Sequence, residues 1–180
     1  MKKMKEVPKI EDSFEKLDAY PCVTERYYTQ YFYLNDQGPS NEHHCVLLHS
    51  NKICLITLAP SHPVVKEKKN IKKIDFQVTN KLDRLENKVK GKGKKGGQYI
   101  QPDSTLCFIE CEDGAKYSIY GCVKGKLVEI NQNLLTNYNL LIEKPLSMGF
   151  IAIILPSKCD VSTIIEKLIP YDKYQSESGT

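Results

Sequence analysis

Apolar and polar residues change places in short runs along most of this chain, and glycine, proline and asparagine cut the runs at intervals that suit strands better than helices. Residues 45–49 and 53–58 are two apolar segments joined through Ser50-Asn51. They predict a hairpin with a two-residue turn, with His49 facing Lys52 and Leu47 facing Cys54, and Pro60-Ser61-His62-Pro63 ends its second strand. Residues 74–78 alternate apolar and polar, so one face is expected to be buried. Leu82, Leu85 and Val89 fit either a helical turn or a strand margin. Residues 99–100, 105–110, 116–120 and 127–130 read as extended, and 150–155, continuously apolar between Gly149 and Pro156, reads as a fully buried strand. Helical spacing is confined to the margins. In the aromatic cluster 27–33, Tyr27/Tyr31 and Tyr28/Phe32 suit a short helix on the sheet or a base-stacking platform; Asn131 is placed to cap a short helix through Leu134 and Leu135; residues 162–169 put Ile164, Ile165 and Leu168 on one face.

Many short strands with glycine and proline turns predict a mainly β barrel or sandwich with short marginal helices. The expected organisation is a flexible tail over 1–22, one β domain over 23–170 and a flexible tail over 171–180. Within that domain, residues 88–131 follow a distinctive order. A Lys/Gly-rich loop precedes a strand, the tight turn Glu112-Asp113-Gly114, a return strand, and then Val123-Lys124-Gly125-Lys126-Leu127-Val128-Glu129-Ile130-Asn131. This layout is similar to lipoyl and biotinyl carrier domains, in which a hairpin tip presents a lysine for modification. Counting back from Val123-Lys124-Gly125 puts the apex on Asp113 and Gly114. Lys116 is the nearest amine, about 7 to 10 Å along the strand. The expectation is a carrier scaffold with a degenerate turn and no attached cofactor.

Charge changes this picture by marking a surface. The net charge is +4, yet residues 66–95 hold eleven lysines and Arg84 against Glu67, Asp75, Asp83 and Glu86, a local +8. Such a field draws acidic partners, whether protein, nucleic acid or anionic membrane, and salt weakens it. Within it, Lys88, Lys90, Lys92, Lys94 and Lys95 alternate with four glycines in a loop that can mould to a charged surface, and these five are the candidate contact. The other constellations carry less. His43, His44, Cys45 and His49 would be the place to seek a metal, but Cys45 and His49 lie about 13 Å apart on one strand face, so a closed site is not expected. Seven scattered cysteines with no secretory h-region read as reduced thiols, with Cys107 and Cys111 acting as small hydrophobes. No nucleophile elbow, phosphate loop or paired carboxylates appear, so no enzyme is expected. No apolar run approaches the roughly 18 residues of a membrane span, which predicts a soluble, intracellular protein without membrane insertion.

One resemblance ties these features together. Residues 50–59 followed by Ser61-His62-Pro63 look like the signature of the Abitram family, also called Simiate, the actin-binding transcription modulators. Glu25-Arg26-Tyr27-Tyr28-Thr29, the block from Asn87-Lys88-Val89 to Gln98, Cys122-Val123-Lys124-Gly125-Lys126-Leu127 and residues 149–156 agree in the same order. The resemblance implies a fold similar to the glycine cleavage H-protein, a barrel-sandwich hybrid. It also implies actin binding that influences filament assembly, and residence in nuclear speckles, cytoplasm and actin-rich projections. A nucleic-acid or ribonucleoprotein contact through the same basic segment is the alternative, and a lipoyl-type carrier a further one.

Overall fold

The computed structural model describes residues 23–35, 42–157 and 161–178; the expected tail over 1–22 lies outside them. Helix α1 (Val23–Tyr27) runs straight into strand β1 (Tyr28–Tyr33), followed by β2 (His44–His49) and β3 (Cys54–Leu58). The chain continues through α2 (Pro63–Lys66), β4 (Ile71–Asp75), β5 (Gln77–Thr79), β6 (Leu82–Asp83) and β7 (Tyr99–Ile100). Then come β8 (Thr105–Cys111), β9 (Lys116–Tyr120), β10 (Gly125–Ile130), a 3-10 turn (Gln132–Leu135) and α3 (Leu140–Glu143). Strand β11 (Ala152–Leu155), α4 (Val161–Glu166), β12 (Ile169–Pro170) and α5 (Tyr171–Ser178) complete it.

The strands form a seven-stranded sheet in the order β12-β1-β2-β3-β11-β10-β7, a three-stranded sheet β4-β8-β9 and the small pair β5-β6. Every pairing is antiparallel. The class is mainly β with short helices, as the pattern predicts. The sheets stack as a sandwich and do not close into a barrel.

Period-two alternation decides which side chain goes where. Val46, Cys54, Ile56, Leu58, Ala152 and Ile154 point from the large sheet into the main core, and meet Ile74, Cys107, Ile109 and Ile119 of the three-stranded sheet. The intervening residues Phe32, Cys45, Leu47 and Leu55 form a second cluster with Tyr174 on the outer face. Strands β2 and β3 are therefore apolar on both sides, which is why their sequence is a run and not an alternation.

Four expectations change. The β2–β3 register is Leu48 opposite Cys54 and Leu47 opposite Leu55, one residue from the two-residue-turn reading. The loop has three residues because Lys52 adopts φ 76°, while the Lys52 amide donates to the His49 carbonyl (2.8 Å) and the His49 amide to the Ile53 carbonyl (2.9 Å). The aromatic cluster is mostly strand: Tyr28 and Phe32 pack on the outer cluster, Tyr31 and Tyr33 on the inner one. The alternating segment 74–78 is broken at Phe76, so that β4 starts early, at Ile71, and β5 follows separately. Finally, residues 171–178, read as tail, are helix α5. An eight-residue polar helix does not hold in isolation. Tyr174, 5% exposed, pins it by stacking on Phe32 with ring centroids 3.7 Å apart.

Candidate interaction site: a lysine loop beside a carrier-type hairpin

The β8–β9 hairpin places Glu110 opposite Lys116 and turns through Glu112-Asp113-Gly114. Its closure is local. The Cys111 amide donates to the Ala115 carbonyl (2.9 Å), the Gly114 amide to the Cys111 carbonyl (3.1 Å), and Gly114 takes φ 84°, which a residue with a side chain rarely adopts. The apex is Asp113, one of the two residues, Asp113 and Gly114, on which the sequence count falls. Its carboxylate accepts from the Ala115 amide (2.9 Å) and from the Lys69 ammonium, which also pairs with Glu67 at 3.0 Å. Lys69 holds the Asp113 carboxyl below its ordinary pKa, and the two carboxylates hold the Lys69 ammonium above its own. A carrier arm needs an amine at this point, and the residues of the tip do not fit one. Lys116 lies back along β9 with its ammonium 4.6 Å from the centre of the Phe108 ring.

The lysine loop is built differently. Lys90 and Lys95 close it with two backbone hydrogen bonds of 2.9 Å, the Lys94 amide donates to the Gly91 carbonyl (3.1 Å), and the Lys126 ammonium on β10 donates to the Gly93 carbonyl (3.0 Å). Its base rests on a buried polar network. Arg84, 5% exposed, donates through Nε (3.0 Å) and Nη2 (2.9 Å) to the Thr105 carbonyl and through Nη1 (2.8 Å) to Gln98 Oε1. Gln98 Nε2 donates to the Asp83 carbonyl (2.8 Å), the Gln98 amide to Asn87 Oδ1 (2.8 Å), and Asn87 Nδ2 to the Leu127 carbonyl (3.0 Å). The loop is therefore an ordered platform tied to β8 and β10.

Electrostatics separates the two halves of the basic segment. Lys72 pairs with Glu110 at 2.9 Å and Lys73 with Asp75 at 2.7 Å, and Lys69 is committed to the hairpin tip. Among the described residues no carboxylate pairs with Lys88, Lys90, Lys92, Lys94 or Lys95, four of them exposed and Lys94 half-buried. Beneath them the Arg84 guanidinium meets only neutral acceptors, and burial pulls its pKa down from the usual arginine value. The positive field of this face is thus left uncancelled, and that is the arrangement a carboxylate-bearing partner would meet.

The remaining candidates do not converge. His44 is buried with Nε2 accepting from the Tyr120 amide (3.2 Å), and His49 sits at the other end of β2 between the rings of Tyr27 and Tyr28 (6.1 and 4.7 Å). His43 and Cys45 do not join them, and no group of three metal-ligating side chains forms among the described residues. Burial pushes the Cys45 and Cys54 thiols up to about 12 and raises those of Cys107, Cys111 and Cys122, the reverse of what a nucleophile needs. The aromatic cluster divides between the two faces of β1 and offers no common stacking surface. Sequence reasoning missed the roles of Arg84, Asn87 and Gln98, because a charged or amide side chain in a lysine-rich segment reads as solvated. Nor is any helix among the described residues long and apolar enough to cross a membrane.

A sandwich carrying this hairpin defines the glycine cleavage H-protein class. The family model for Glycine cleavage H-protein matches residues 59–178. A crystal structure of a glycine cleavage system H protein from Mycobacterium marinum superposes with a TM-score of 0.55 at 12% identity, covering 83% of this chain and 97% of that one. Within that class the chain belongs to the Abitram family. It is 42% identical over 160 residues to Protein Abitram of Xenopus tropicalis, covering 89% of this chain and 87% of the relative, and 42% identical over 155 residues to that of Homo sapiens, covering 86% of each.

Proposed function

We propose that this chain is a non-enzymatic adaptor that binds actin and modulates its assembly, and that it works both in the nucleus, at speckles and on transcription, and in cytoplasm and actin-rich projections. The observation that carries the reading is the row Lys88, Lys90, Lys92, Lys94 and Lys95, held on an ordered loop without carboxylate partners among the described residues. Actin offers acidic surface, and the Abitram resemblance supplies the expectation of actin as the partner. Cosedimentation with filaments tests it: the wild type pellets at low salt and is released as salt rises, and changing the five lysines to glutamate lowers affinity more than about tenfold, since like charges then face each other. A wild type that stays in the supernatant at low ionic strength, or a glutamate variant that still pellets, rejects the assignment. Fluorescence imaging of the tagged chain against speckle and filament markers tests the locations.

A nucleic-acid or ribonucleoprotein contact is the second reading, because the same unpaired lysines would release phosphate counterions. Titration with single-stranded RNA then gives a steep logarithmic salt dependence, and a flat response removes it. The carrier reading is set aside on the tip geometry, where Asp113 is locked to Lys69 and Lys116 lies on the strand. Intact mass spectrometry of protein isolated from cells is expected to show the unmodified chain, and a lipoyl or biotinyl adduct at Lys116 would reverse that conclusion.

A further inference from the structure

The lysine row is bordered by a tyrosine whose exposure the fold does not explain. Tyr99 occupies β7, the terminal strand of the large sheet, with Gln98 on one side held by the Arg84 network and Ile100 on the other fully buried. Its backbone is thus fixed at both neighbours, yet its ring is 53% exposed. In the antiparallel register Tyr99 stands directly opposite Lys126 on β10, so the two side chains leave the sheet on the same face. The Lys126 ammonium in turn holds the Gly93 carbonyl at 3.0 Å, which brings the tip of the lysine loop over β10 beside that ring. One face therefore joins five loop lysines, Lys126 and an exposed aromatic ring.

The two kinds of residue make different contributions to binding. Rim lysines steer encounter and are screened by salt, while desolvated tyrosines at the centre of an interface carry affinity that salt barely changes. We propose that Tyr99 is the anchor of this surface, and that its partner is an acidic protein surface with an apolar recess flanked by carboxylates. The inference deepens the adaptor reading and rests on it.

The test uses the full chain and actin filaments over a salt series. Tyr99→Ala removes no charge and alters an exposed ring on a two-residue edge strand, so the fold is retained. Affinity is expected to fall about tenfold or more at every salt concentration, the scale of an aromatic hot spot, while the slope of log affinity against log salt stays that of the wild type. Tyr27→Ala, at a ring of similar exposure (49%) on α1, is expected to leave affinity unchanged. A wild type that pellets while Tyr99→Ala stays within twofold of it overturns the anchor alone. So does a deficit that vanishes at high salt, or an equal loss in Tyr27→Ala. A wild type that never pellets overturns the actin reading and the anchor with it. Binding of single-stranded RNA as tight as that of filaments, with the same dependence on Tyr99, overturns the protein-partner assignment.

Discussion

Replacing Arg84 with alanine should lower the unfolding free energy by about 3 kcal/mol, one of the larger losses expected of a single substitution here. The guanidinium is 5% exposed and gives three hydrogen bonds, two to the Thr105 carbonyl and one to Gln98. Removing it leaves the Gln98 amide oxygen without its donor, and opens a void between β8 and the segment from Asp83 to Gln98. Losing a buried charge recovers part of this, since burial already disfavours it. The unsatisfied acceptors outweigh the gain, because hydrogen bonds from a charged donor are worth about 1.5 to 3 kcal/mol each. Arg84→Lys should recover less than half, as one ammonium cannot reproduce the fork that spans Thr105 and Gln98. Urea unfolding measures both, and an alanine variant within 1 kcal/mol of the wild type would show that this network is not what holds the loop.

The consequence for function lies one step further along the chain. Gln98 relays Arg84 to Asn87 and Asp83, and the Leu127 amide donates to the Gln98 carbonyl at 2.8 Å, so this network sets where the lysine loop sits on β10. Amide exchange at Leu127 should therefore rise in Arg84→Ala together with exchange at Lys90 and Lys95, whose paired hydrogen bonds close the loop. Partner affinity would fall although every loop lysine is still present.

Much of the β frame was legible because its signals are local. The turn at Asp113 and Gly114 followed from counting back from Val123-Lys124-Gly125, and the position of β11 from an apolar run bounded by glycine and proline, although the strand starts only at Ala152 and leaves Ile153 and Leu155 half-buried where a fully buried strand was expected. The misreadings have equally specific causes. A spacing of four residues puts side chains on one face of a helix and also on one face of a strand, so Tyr27/Tyr31 and Tyr28/Phe32 could not separate the two. The β2–β3 register slipped by one because Lys52, where glycine or asparagine would have marked the turn, takes positive φ. Helix α5 depends on the stack of Tyr174 on Phe32, a contact between distant parts of the chain, and its own sequence is polar. The lysine row itself was visible in composition. What no composition shows is which lysines the fold pairs: Lys69 meets Asp113 at the hairpin tip, Lys72 meets Glu110 of β8 and Lys73 meets Asp75 of its own strand, while the five of the loop meet no carboxylate among the described residues.

Mild acid should weaken the fold steeply, through two buried histidines, of which sequence reading weighed His44 as a metal ligand and His62 only as part of the segment that ends a strand. His44 and His62 are fully buried with ring centroids 6.1 Å apart, and His62 also lies 5.2 Å from the Tyr117 ring. Each ring uses one nitrogen as an acceptor, His44 Nε2 from the Tyr120 amide and His62 Nδ1 from the Val64 amide, both at 3.2 Å, so both rings are neutral. Burial, reinforced by the neighbouring histidines, pulls the pKa of His44 down to about 3 and that of His62 to about 4. In the unfolded chain both return to about 6.5. Between these values the unfolded state binds more protons, so stability is whole above pH 6.5 and is lost as the pH falls toward 4. The slope is about 1.4 kcal/mol per pH unit for each ring, and about twice that for the pair. Asp75, Glu110 and Asp113, whose pKa values are lowered by their lysine partners, lose their contribution only below about pH 4.5, so from pH 7 to 5 the loss comes from the histidines, opposed by Glu42, whose carboxyl pKa is raised by burial. His62→Asn keeps an acceptor for the Val64 amide and removes one titrating group; urea unfolding at pH 7, 6 and 5 should show its slope halved. A wild type whose stability does not change across that interval would mean that neither ring is held neutral by its burial.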